Sequence, residues 1–103
     1  MNKKIRKILL KKNKSKIVSL TAYSKSIAKI LDNYCDIVLV GDSMANVLYG
    51  LENTNKITLE NIIQHTLSVK KGIKKSLLVV DMPKNSYTNL NILSDLRHKM
   101  KKY

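Results

Sequence analysis

The stretch that decides the fold is Asp36-Ile37-Val38-Leu39-Val40-Gly41-Asp42-Ser43, "DIVLVGDS". Four consecutive apolar residues, three of them β-branched, suit a strand buried on both faces, as strands of parallel sheets are. The run stops at a glycine, a carboxylate and a hydroxyl. A second stretch repeats the design: Leu77-Leu78-Val79-Val80 runs into Asp81-Met82-Pro83. Two apolar strands that both end in an aspartate need a common explanation, and the segments around them supply it.

Upstream, Ile17 to Thr21 is short and β-branched, which predicts a first strand. Between it and Asp36, Ser24 stands where a helix cap belongs, and Ile27, Ile30, Leu31 and Tyr34 share one helical face. Between the two acid-ended strands, Met44 to Lys56 reads as irregular. Thr58 then caps a helix with the stripe Leu59, Ile62, Ile63 and Leu67, and Gly72 sits at its C′ position. Residues 3–12 carry Ile5, Ile8 and Leu9 at helical spacing, and Asn13 to Ser15 end that helix. Pro83 prevents simple continuation of the third strand. A last helix is predicted over Leu90 to Lys101. The order is α, then β-α-β-α-β-α. Right-handed crossovers and a parallel sheet follow from it.

A parallel sheet has one C-terminal edge, and ligands bind there. Asp42 and Asp81 therefore face one crevice. Two close carboxylates repel unless a cation lies between them, and Mg²⁺ is held by one or two carboxylates with waters and substrate oxygens. The alternative is that each aspartate caps the helix after it. Spacing alone leaves both readings open.

The 103 residues make one small domain, spanning 1–103, or a piece of a larger one. No run approaches the roughly 20 apolar residues of a membrane helix, and no apolar segment follows the basic N-terminus as in a signal peptide. The single cysteine, Cys35, allows no internal disulfide, so a cytoplasmic location is expected. The formal charge of +13 is spread along the whole chain without a DNA-binding motif, and reads as compositional bias rather than as a nucleic-acid site. His65 reads as a packing or surface residue and His98 as a solvated one. Tyr23 and Tyr87 are candidates to line the crevice, with Met44 and Met82 as its apolar walls.

The words around the acids carry a resemblance. "KIVSLTAYS" (16–24), "DIVLVGDS" (36–43), "ITLENIIQHTLSVKKGI" (57–73) and "LLVVDMPKNSY" (77–87) come in the order and spacing of the ketopantoate hydroxymethyltransferases, which this chain resembles over residues 16–87. The resemblance implies the first three βα units of a (β/α)8 TIM-type barrel preceded by an N-terminal helix, the barrel incomplete. It also implies a homo-oligomer. The implied reaction is Mg²⁺-dependent transfer of a one-carbon unit from 5,10-methylenetetrahydrofolate to 3-methyl-2-oxobutanoate, giving 2-dehydropantoate. Carried over by position, Asp42 and Asp81 would ligate the metal, and Asp42, Ser43 and Asp81 would meet the oxo acid.

The chain departs from the family at three places near the rim of the site. Ser24 stands for an aspartate, Met44-Ala45 for Leu-Gly, and Lys84 for an aromatic residue. The family's substrate lysine, a further acid near the metal and the proton-accepting glutamate match no position here. No catalytic base is therefore expected among these residues, and an N-terminal fragment inactive by itself is expected. Two other readings stay open: the relic of a decaying gene, and a basic nucleic-acid-binding module.

Overall fold

A computed structural model describes residues 2–84 together with His98 and Lys101. The elements are α1 (Lys3–Leu9), β1 (Ser19–Thr21), α2 (Lys25–Leu31), β2 (Ile37–Val40), α3 (Met44–Val47), a 3-10 turn (Thr54–Lys56), α4 (Leu59–Lys70) and β3 (Leu77–Val80). The expected helix over residues 90–101 and the site residue Tyr87 lie outside the described residues.

The three strands form one parallel sheet in the order β1-β2-β3. Its register pairs Leu20 with Val38 and Val38 with Leu78, so these three side chains share a face. Val40 and Val80 follow on the same face. Helices α2 and α4 cover that face. Val38 and Val40 are fully buried there against Ala28, Ile62 and Val69, with Leu78 and Val80 packed alongside. The other face carries Ile37, Leu39, Leu77 and Val79, and no described element lies over it. Burial on both faces, expected from the continuous apolar runs, is therefore not met among the described residues. Ile37, Leu39 and Leu77 are half-buried, Val79 is exposed, and edge strand β1 is exposed throughout.

Local chemistry explains the helix boundaries. The Asn2 side chain accepts the Lys4 N–H at 2.7 Å and starts α1. After Leu9 the chain tightens into turns, and Asn13 adopts φ 62°, a left-handed conformation that asparagine tolerates. Thr58 and Asn61 form a reciprocal capping box at the start of α4, with Asn61 N–H on Thr58 Oγ1 at 3.1 Å and Thr58 N–H on Asn61 Oδ1 at 3.2 Å. Ser24 occupies the cap position of α2 in extended conformation, but its side chain makes no capping bond. The segment expected to be irregular, residues 44–56, contains α3 and the 3-10 turn, because Met44 and Ala45 are drawn fully into the core.

Two helical faces differ from expectation. In α4 the buried positions are Ile62, Thr66 and Val69, while Leu67 is exposed. Thr66 tolerates burial because its hydroxyl donates to the Ile62 carbonyl at 2.7 Å. In α2 the buried residue is Ala28, with Leu31 partly buried; Ile27, Ile30 and Tyr34 point outward. Gly72 explains that choice. It does not adopt a positive φ, so it is not a left-handed helix terminator. It is needed because α2 approaches too closely for a side chain. A Cβ at Gly72 would lie 2.5 Å from the Lys25 carbonyl oxygen, 2.9 Å from Lys29 N and 3.0 Å from Ala28 Cβ. The helix pair is thus set by small residues, Ala28 against Gly72, and the larger isoleucines are turned away. The clash involves backbone, which cannot swing aside. Gly72→Ala is expected to cost about 2 kcal/mol despite its favourable effect on the unfolded chain. In a thermal melt that is a fall of roughly 8–15 °C; an unchanged midpoint would mean that α2 packs elsewhere.

No helix among the described residues is long and apolar enough to cross a membrane.

Candidate active site

The C-terminal edge of the sheet collects one side chain group from each strand. Tyr23 lies just beyond β1, Gly41, Asp42 and Ser43 beyond β2, and Asp81 beyond β3. Register fixes the meeting of the last two. Val40 and Val80 are paired, and the ladder continues one step further as Asp81 N–H donates to the Val40 carbonyl at 3.0 Å. Asp81 then stands beside Gly41. Its Oδ2 accepts the Asp42 N–H at 3.1 Å.

Gly41 is buried in this crowd. A Cβ there would come within 3.3 Å of both Asp81 Oδ2 and Ser43 Oγ. The glycine therefore lets the Asp81 carboxylate and the Ser43 hydroxyl converge on one small region. Ser43 precedes α3 but makes no capping bond; its hydroxyl is 2.6 Å from the Tyr23 hydroxyl. Asp42 does not cap α3 either, which removes the capping alternative for that residue. Among the described residues the Asp42 carboxylate has no protein partner, and Asp81 uses one oxygen, leaving three carboxylate oxygens open to a ligand.

Helix α4 braces this edge through His65, which is half-buried. Its Nδ1 lies 2.8 Å from the Tyr23 carbonyl oxygen and its Nε2 lies 2.9 Å from the Tyr49 hydroxyl. A carbonyl only accepts, so Nδ1 carries the proton, and in the neutral ring Nε2 accepts from Tyr49. The imidazole stands edge-on to both tyrosines, with ring centres 6.4 Å from Tyr23 and 6.0 Å from Tyr49. His65 is thus a packing residue that fixes the backbone of Tyr23, and through it the hydroxyl that meets Ser43. Tyr49 was not legible as part of this set. It lies in the segment read as irregular, and only the turn after α3 brings it to His65.

Of the two methionines expected as walls of the crevice, Met44 is instead fully buried in the core, because α3 turns it away from the edge. Met82 is half-buried.

Among the described residues no group of three or more His, Cys, Asp or Glu side chains stands close enough to hold a metal. The aspartate pair alone still fits a hard divalent cation. Mg²⁺ takes oxygen donors, keeps most of its waters and commonly uses one or two carboxylates. Asp42 and Asp81 offer that donor set, in a spot that Gly41 keeps free of a side chain.

The family model described as ketopantoate hydroxymethyltransferase matches residues 2–94. A 3-methyl-2-oxobutanoate hydroxymethyltransferase from Pelagibacter ubique is 61% identical over 89 residues, 86% of this chain and 35% of that protein. Proteins of the same name from Rhizobium rhizogenes and Chelativorans sp. are 54% and 50% identical, covering 69% and 74% of this chain and 26% and 27% of their own lengths. The chain thus spans about a quarter to a third of the relatives it matches. The family match takes in all three strands and both acid-ended stretches, and with it the chain belongs to the ketopantoate hydroxymethyltransferase family.

Proposed function

We propose that this chain forms the metal- and oxo-acid-binding part of a 3-methyl-2-oxobutanoate hydroxymethyltransferase. The three βα units would be the first of a (β/α)8 barrel. The reaction would be transfer of a one-carbon unit from 5,10-methylenetetrahydrofolate to 3-methyl-2-oxobutanoate, giving 2-dehydropantoate. The observation that carries this reading is the hydrogen bond from Asp42 N–H to Asp81 Oδ2, which brings the Asp81 carboxylate against the backbone of Asp42 at the shared strand edge.

A bound Mg²⁺ would act as a Lewis acid toward the keto group of the substrate. The rest is the work of the chain. Asp42 and Asp81 would hold the cation through their open oxygens. Ser43, oriented by the Tyr23 hydroxyl, would donate to the substrate carboxylate. His65 would keep Tyr23 in place. The family's proton-accepting glutamate matches no position here, so these residues would bind substrate without turning it over. Loss of a general base costs about 10²–10⁴ in rate. The exposed Leu20, Ile27 and Ile30 suit cover by further protein, whether the rest of a barrel or another copy in a homo-oligomer.

The test is calorimetry of the purified chain with Mg²⁺ and 3-methyl-2-oxobutanoate, beside an assay for 2-dehydropantoate. The expected result is oxo-acid binding that requires Mg²⁺, with no product formed. Robust turnover would overturn the division of labour, and absence of any Mg²⁺-dependent binding would overturn the site.

A further inference from the structure

The positive charge that looks evenly spread in the sequence is gathered in the structure. Two adjoining cavities open at the N-terminal edge of the sheet, the end opposite to Asp42 and Asp81. The first, about 260 Å³, lies under α1 and is lined by Lys4, Lys7 and Lys11. The second, about 480 Å³, lies between α2 and the loop before β3, and is lined by Lys25, Lys29, Lys71 and Lys74. Asp32, Asn33 and Lys75 line both, so the two cavities form one trough.

The two acids in the trough, Asp32 and Asp36, are outnumbered by its eight lysines, and both are engaged. Both oxygens of Asp32 are taken by backbone N–H groups of Lys74, Lys75 and Ser76. Asp36 is held by Lys11 at 2.6 Å and by the Val18 N–H at 2.9 Å. Lys7 also acts on Asp36, whereas Lys4, Lys25, Lys29, Lys71, Lys74 and Lys75 show no salt bridge to a carboxylate among the described residues. Tyr34 stands at the wall of the first cavity with 76% of its surface exposed, the most exposed large apolar side chain of the described chain.

A positively charged groove with an exposed aromatic ring is the arrangement that binds single-stranded nucleic acid. Lysines track the phosphates and the ring stacks on a base. We propose that this trough is a binding site for single-stranded nucleic acid, remote from the crevice at the other end of the sheet. Strands β2 and β3, which run between them, are four residues long, about 13 Å. Phosphate contact without a base would need only the lysines; Tyr34 is what selects a nucleic acid over inorganic polyphosphate.

The experiment is fluorescence anisotropy of a labelled twelve-nucleotide single strand titrated with the full chain, at 50 and 200 mM salt. Contact with about five phosphates predicts a salt slope near −3.5, or roughly a hundredfold loss of affinity between these conditions. Two triple variants of equal charge decide whether the trough matters. Lys29→Glu/Lys71→Glu/Lys74→Glu, in the trough, is expected to weaken binding about tenfold more than Lys3→Glu/Lys16→Glu/Lys56→Glu, outside it. Tyr34→Ala, which changes no charge and removes an exposed ring, is expected to weaken binding about fivefold or more, as loss of a stacked base does. Circular dichroism melts confirm that each variant is folded. No binding at 50 mM salt, or equal loss in the two triple variants, overturns the site. An unaffected Tyr34→Ala, with polyphosphate binding as well as the oligonucleotide, overturns the choice of ligand.

Discussion

Asp32→Ala is expected to leave the chain largely unfolded at 37 °C. Asp32 is 7% exposed and ends α2, yet it works for a distant segment. Its carboxylate accepts the Lys74 N–H at 2.9 Å, the Lys75 N–H at 3.0 Å and the Ser76 N–H at 2.7 Å. Ser76 is fully buried and also donates its hydroxyl to the Cys35 carbonyl at 2.8 Å. These bonds tie the end of α2 to the loop that launches β3. Removing the carboxylate leaves the Ser76 N–H without water to replace it. A buried donor left unpaired costs about 1–3 kcal/mol, and hydrogen bonds to a charged group contribute more than neutral ones. A total near 3–4 kcal/mol is expected. A domain of this size has only about 5–15 kcal/mol in all, and a sheet face without cover among the described residues puts this one at the low end. The thermal midpoint is expected to fall by about 15 °C or more, or the transition to lose its cooperativity. A midpoint within about 3 °C of the parent would show that the loop holds without Asp32.

The same carboxylate sets the acid limit of stability. Burial works to raise the Asp32 pKa, but the N–H groups of Ser76, Lys74 and Lys75 outweigh it and hold the group below its ordinary value of 3.8. Asp36 is lowered as well, first by the hydrogen bond from Lys11 and then by that from Val18 N–H. A carboxylate with a depressed folded-state pKa adds stability above its unfolded-state pKa, and that stability is lost as pH falls through the folded-state value. The melting temperature is therefore expected to hold between about pH 5 and 7 and to drop below about pH 4. The drop is shallower in Asp36→Asn, which removes one of the two contributions. An equally steep acid limb in that variant would assign the loss to other groups.

Asp32 also marks where sequence reading stops. The strands were legible because each is a short apolar run between turn residues, and the alternation of strand and helix fixed a parallel sheet. The meeting of Asp42 and Asp81 was legible too, because parallel strands share an edge and both acids directly follow a strand. The face of α2 was not, and that of α4 was legible only in part, since Ile62 is buried but Leu67 is exposed. A hydrophobic stripe predicts what should be buried if a partner is available, whereas α2 docks where Ala28 and Gly72 permit close approach. Two isoleucines lose to an alanine for that reason. Asp32 reads as an ordinary polar residue at a helix end; only the return of the chain at Lys74–Ser76, more than forty residues later, makes it a cap for another segment. The lysine trough has the same origin. Its charges come from four separate segments, α1, α2, the end of α4 and the loop before β3, and no window of sequence contains them together.

Asp81→Asn separates the two duties assigned to that residue, and it is expected to abolish Mg²⁺ binding while leaving the fold intact. The amide has the shape of the carboxylate, and its Oδ1 can still accept the Asp42 N–H that Asp81 Oδ2 now takes at 3.1 Å. The Tyr23–Ser43 contact is therefore kept. What changes is charge. The site falls from two carboxylates to one, and affinity for a hard divalent cation follows the charge of its oxygen ligands. Even an outer partner of a metal ligand is worth 10–100-fold in affinity, so loss of a direct carboxylate is expected to weaken Mg²⁺ by about a hundredfold or more. The stability readout changes sign with the metal. Without Mg²⁺, two neighbouring carboxylates repel, and the variant should melt at the parent temperature or slightly above it. With Mg²⁺ at about a hundred times its dissociation constant, the parent gains about 2.7 kcal/mol by linkage and the variant gains almost nothing. The order of the two melting temperatures should therefore reverse on adding Mg²⁺. Capping or packing roles for the acids predict no reversal, because they respond to shape and hydrogen bonding, which the amide preserves. Equal upward shifts in both proteins would place the cation elsewhere, and with it the keto group that the cation is meant to polarise.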